Sequence, residues 1–174
     1  MTTIAWESAL GALTKVEHLG VAESGLLSFC DKPGGGIFVE NGRICWVAAD
    51  GLQHRLRDLL RRRAVGREAA VDEIYERCRV QRRPFGQTLV TEGVVSSSEL
   101  EIVLRRHSAE SLLHLCRKVV PRRWASRGSR GYSADFTFRA VDVLTDIVDL
   151  ALPTAREEAL AALAPFGAER RRAA

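Results

Sequence analysis

The sequence predicts an α+β domain in which a small antiparallel β-sheet built from hairpins packs with a helical lobe. Three observations carry that expectation. The stretch 20–50 is rich in β-branched and aromatic residues and contains Asn41-Gly42, the pair best suited to the positive φ values of a type I′ hairpin. The stretch 52–120 repeats apolar residues at helical spacing. Near the end, Phe136, Phe138 and Ala140 alternate with Asp135, Thr137 and Arg139, which is strand spacing.

In chain order, Trp6, Leu10 and Leu13 sit at helical intervals and predict a short amphipathic helix. Glu7 and the lack of a basic lead argue against a signal peptide there. Pro33-Gly34-Gly35-Gly36 reads as a turn between two short runs. With Asn41-Gly42 as the hairpin turn, Glu40 faces Arg43, Val39 faces Ile44, Phe38 faces Cys45 and Ile37 faces Trp46. That register groups two aliphatic residues with a tryptophan. Leu52, Leu56, Leu59 and Leu60 make a helical stripe whose opposite face carries Arg55, Arg57, Arg61 and Arg62. Val71, Ile74, Tyr75 and Cys78 make the next stripe.

Local punctuation is densest from residue 84 onward. Pro84 opens a short helix, and Gly93 stands where it should stop. Ser96 and Glu99 have capping-box spacing, with Val95 and Leu100 as the hydrophobic staple. The helix that follows carries Leu100, Val103, Leu104, His107, Leu112, Leu115, Cys116 and Val119 along one side. The basic, glycine- and serine-rich stretch 126–131 reads as the loop of a closing hairpin over 122–140. Helices follow: one ends at Pro153, and a C-terminal one over 151–167 has Thr154 as cap with Glu157 three residues on. Residues 168–174 are expected to be a disordered tail.

Composition narrows the function. A length of 174 residues with 46% hydrophobic and 28% charged residues is globular, long enough to fold without disulfides or metals. No apolar run reaches the roughly 20 residues of a membrane span, so no membrane insertion is expected. Cys30, Cys45, Cys78 and Cys116 are scattered without a C-x-x-C pair, which fits a reduced cytoplasmic setting. The net charge of +4 comes almost wholly from arginine.

Candidate chemistry is sparse. His107 and His114 lie seven apart near Cys116, but zinc needs i,i+4 spacing or ligands from several elements. No activating context marks Cys78 or Cys116 as a nucleophile. Asp142, Asp146 and Asp149 recur at helical spacing and read as a solvated face. The triple glycine at 34–36 matches no phosphate-binding pattern. No metal and no cofactor is therefore expected, nor a catalytic residue. The contact candidates are Arg55, Arg57, Arg61 and Arg62 on one helix, with Arg127 and Arg130 in the basic loop. They suit protein partners, a second copy of the chain included. A nucleic-acid-binding module is the alternative, although no stacking platform or helix-turn-helix accompanies the arginines.

Two resemblances add to this. Gly25 and Leu27, then Gly36, Phe38, Gly42 and Ile44, and later Trp124, Phe136 and Phe138 resemble the G-x-L strand, the glycine-flanked hairpin and the closing hairpin of the PatA-type N-terminal domain. The likeness covers about residues 10–150. It implies one α+β domain and a bacterial regulatory adaptor working with signalling or motility proteins. Residues 83–107 resemble the motif repeated in N-terminal domains of type II secretion and pilus ATPases, where tandem copies wrap cyclic di-GMP. Gly86, Leu89, Gly93, Ser96, Leu100 and Leu104 fit it. If a cyclic dinucleotide bound here, Arg83, Gly86, Leu89, Gly93, Leu104 and His107 would be its contacts. This chain has one copy, its arginine lies one position early, and His107 replaces the usual glutamine. The expectation is a helical packing motif.

Overall fold

The computed structural model describes residues 3–30, 34–52, 56–117, 122–129 and 132–150, with side chains from residue 7. Arg55, Arg130, the Pro33 turn, Val119, the 151–167 helix, the 168–174 tail and the Trp6 side chain lie outside the described residues. The described chain is α+β: six helices and a four-stranded antiparallel sheet. It divides into two compact units, one of residues 1–51 with 108–174 and one of 52–107.

The first unit holds the sheet, in the order β3-β2-β1-β4. Strands β1 (Gly25–Phe29), β2 (Gly35–Glu40) and β3 (Arg43–Ala49) form a meander, and β4 (Arg122–Ser126) pairs with β1. Asn41 at φ 51° and Gly42 at φ 70° make the two-residue turn that the dipeptide predicts. One sheet face is apolar and closed, with Leu27, Ile37, Ile44 and Val47 fully buried. Helix α1 (Thr3–Glu17) packs on β3 and on α6 (Ala140–Leu150), and buries Ala9, Ala12, Leu13 and Val16. Helix α6 contributes Val143, Leu144, Ile147 and Val148.

The hairpin register corrects the expectation halfway along. Glu40 faces Arg43 and Val39 faces Ile44, but a bulge then shifts the ladder. Phe38 faces Trp46 and Ile37 faces Val47. An extra residue in one strand moves every later side chain to the other face. Val47 therefore takes the core place opposite Ile37, while Trp46 sits half-buried on the other face beside Phe38. The Arg43 guanidinium also turns away from the turn: it donates to the Thr137 hydroxyl at 2.8 Å and its carbonyl at 2.6 Å. Gly35 and Gly36 belong to β2, not to the turn before it.

The closing hairpin is absent among the described residues. Phe136 lies in a 3₁₀ turn (Ala134–Phe136), Phe138 makes a lone bridge to Ile44, and Ala140 starts α6. The alternating run thus spans three conformations. Strand β4 finds its partner far back in the chain, at β1.

The second unit is helical. Helix α2 (Leu56–Arg63) packs on α3 (Glu68–Gln81), which packs on α4 (Phe85–Thr91). Helix α5 (Ser97–Leu115) begins here. Val71, Ile74, Cys78, Leu89, Leu100 and Val103 are buried, matching the predicted stripes.

Candidate interaction surfaces

In the helical unit the arginine face of α2 is only partly available. Arg57 sits between Asp58 at 3.9 Å and Asp72 at 3.7 Å, and its guanidinium lies 5.1 Å over the Tyr75 ring. Tyr75 in turn meets the edge of Phe85 at 5.3 Å. Arg61 approaches the second oxygen of Asp72 at 3.4 Å. These two arginines thus hold α2 against α3. Arg61, Arg62 and Arg63 are exposed and close the helix with positive charge, favourable at a helix C-terminus.

The residues 83–107 come out as packing and capping. Leu89 is fully buried. A Cβ on Gly86 would stand 3.0 Å from Leu100, so glycine lets α4 approach that side chain. Gly93 takes φ 69°, and the Val94 and Gly93 amides donate to the Leu89 and Val90 carbonyls at 2.9 and 3.0 Å. That is the paired Schellman arrangement. The Ser96 hydroxyl accepts from the Glu99 amide at 3.2 Å while Glu99 accepts from the Ser96 amide at 2.8 Å, completing the capping box. The bond from the Ser96 amide, and then one its hydroxyl donates to the same carboxylate at 2.7 Å, hold the Glu99 carboxyl below the usual range. Arg83 is exposed, Leu104 half-buried and His107 buried.

In the sheet unit the basic loop is anchored from both ends. The Arg127 amide donates to the Ser24 carbonyl at 2.8 Å. Ser129 donates to the carboxylate of Glu40, which is only 4% exposed. Arg127, Glu40, Cys45 and Tyr132 line a cleft of about 10 Å³, the room of one water molecule. It cannot admit a small-molecule ligand, which needs at least about 300 Å³. Sequence reasoning missed this buried carboxylate. Its signal was a glutamate closing an otherwise apolar strand.

The remaining chemistry-bearing residues are dispersed. His114 bonds the Asp50 carbonyl at 3.0 Å. Burial pushes the Cys116 thiol up to about 11, so it stays protonated at neutral pH and is a poor nucleophile. Asp142 pairs with Arg139 at 2.6 Å. Among the described residues no group of three or more metal-ligating side chains gathers, and no helix is long and apolar enough to cross a membrane. No family model, no curated protein and no solved structure matches the chain.

Proposed function

We propose that the chain is a non-catalytic signalling or scaffolding adaptor of bacterial type that acts through protein–protein contacts. The observation that supports this most is the exposed run Arg61, Arg62 and Arg63 at the end of α2. Asp72 approaches Arg57 and Arg61 and so fixes the helix that carries the run, which spares binding the cost of ordering that backbone and leaves the side chains' own. Arginine is enriched at protein interfaces because its planar fork bonds carboxylates and also stacks.

The test is a double charge reversal, Arg62→Glu with Arg63→Glu. Both side chains lie on the surface, so the loss of helix-dipole stabilisation should be about 1 kcal/mol or less. Partners recovered from the native cell by the wild type should be lost. A double mutant that melts like the wild type and recovers every partner would remove this face from the account. Loss of the partners after nuclease treatment would turn the reading to nucleic acid.

A further inference from the structure

Strand β4 is the end of the sheet: among the described residues it pairs with β1 alone, and nothing pairs with its outward side. The ladder phase fixes which groups face out. Arg127 donates to Ser24, so residues 127, 125 and 123 turn their main-chain groups toward β1. A Cβ on Gly25 would meet the Ala125 carbonyl at 2.5 Å, which agrees with that phase. Arg122, Trp124 and Ser126 therefore aim their amides and carbonyls away from the sheet, and no hydrogen bond to Trp124 or Ser126 on that side arises among the described residues.

Charge says what fits there. Arg123 and Arg127 are exposed, and neither has an ion-pair partner among the described residues. Arg122 is also cationic, though its guanidinium turns under α1 to the Ser8 carbonyl at 2.9 Å. Strand β1 carries no acidic residue. Glu40 of β2 shares a cleft with Arg127, but it is buried and accepts from Ser129, so Arg123 on the same face stays unbalanced. Like charge on both strands opposes edge-to-edge pairing of two copies, which is how natural edge strands avoid aggregation. The same charge favours an extended segment bearing carboxylates.

We propose that β4 accepts an extended acidic segment of a partner protein as a fifth strand. Main-chain bonds to Trp124 and Ser126 would hold it, and Arg123 and Arg127 would select its charge. This names a partner class and rests on the adaptor reading.

The probe is a labelled peptide of alternating valine and glutamate, compared with its valine–lysine counterpart and with a fully N-methylated version. Anisotropy reports affinity, and residue-resolved amide exchange reports the contact. The acidic peptide should bind saturably and slow exchange at Trp124 and Ser126, and both control peptides should bind at least about tenfold more weakly. Ser126→Pro removes an outward amide and no ladder bond, as edge strands tolerate. It and Arg123→Glu should each weaken binding by about tenfold or more with the melting temperature unchanged. Equal binding of the N-methylated peptide, full binding by Ser126→Pro, or no protection at Trp124 and Ser126 would overturn the proposal. So would protection of these amides by concentration alone, which would make a second copy the occupant. None of these results bears on the α2 face, which is tested separately by partner capture with the Arg62→Glu, Arg63→Glu variant.

Discussion

The segments 84–100 and 122–140 differ in how far their hydrogen bonds reach. In the first, the helix caps are drawn from within a few residues: Gly93 and Val94 bond back to Val90 and Leu89, and Ser96 exchanges bonds with Glu99. The longer ties come from α3 and the turn before it, where Arg77 and Arg67 reach Glu92 and the Gly93 carbonyl from 15 and 26 residues away. In the second, local bonds around the 3₁₀ turn are joined by bonds that reach across the chain: Arg127 donates to the Ser24 carbonyl, and Phe138 exchanges amide bonds with Ile44. Thr137 takes Arg43 from 94 residues away, Arg122 reaches Ser8 from 114, and Ser129 reaches Glu40 from 89. A locally closed segment can fray without consequence elsewhere, whereas a segment tied to distant strands opens only with the sheet. Damage to 84–100 should therefore stay near its site, and damage to 122–140 should be global.

The same substitution made at Gly93 and at Gly25, the β1 residue packed against β4 of the second segment, gives the strongest contrast. Gly25→Ala would place a methyl 2.5 Å from the Ala125 carbonyl and 2.6 Å from the Trp124 ring. Backbone and indole must both move, so the β1–β4 pairing is lost and the loss is expected at about 3 kcal/mol or more. Denaturant melts should show it, with exchange accelerated across all four strands. Gly93→Ala meets nothing within 4 Å. Its cost is confined to the left-handed backbone, about 1–2 kcal/mol, and faster exchange should stay within α4 and the first turn of α5. Ser96→Ala removes one cap and should cost about 1 kcal/mol, read as local fraying at Ser97 and Ser98. Global unfolding in any of the α4–α5 variants would break the distinction.

The mildest perturbation is acid. Glu99 has a carboxyl pKa lowered from its ordinary 4.5 in the folded chain. Its contribution is therefore complete above the unfolded value and is lost as the pH falls through the folded one. Titration from about pH 6 to about pH 3 should lower the protection factor of the Ser96 amide, its exchange relative to the unstructured rate at each pH, only in the lower part of that range. In Glu99→Gln the acid step should vanish.

These regions also explain what the sequence could reveal. Gly93, Ser96 and Glu99 were readable because each partner lies within a few positions, as was the Asn41-Gly42 turn. The hairpin register held for Glu40–Arg43 and Val39–Ile44 and failed beyond them. The bulge at Cys45 leaves no mark in an alternation that stays apolar through both registers. The run 135–140 failed differently: three conformations gave two-residue periodicity by coincidence, and its Arg43 partner is invisible to any local window. Arg57 and Arg61 were legible as a basic face. Their engagement with Asp72 was not, because it depends on how α2 meets α3.

On the proposed reading, this chain works by offering basic surfaces to another protein. Amide-exchange footprinting of the chain alone and in complex with a partner captured from its native cell tests that most directly. Exchange should slow in α2 around Arg61, Arg62 and Arg63, at Trp124 and Ser126 on the β4 edge, or at both, with α4 unchanged. A complex whose footprint spares α2 and β4 alike would contradict it.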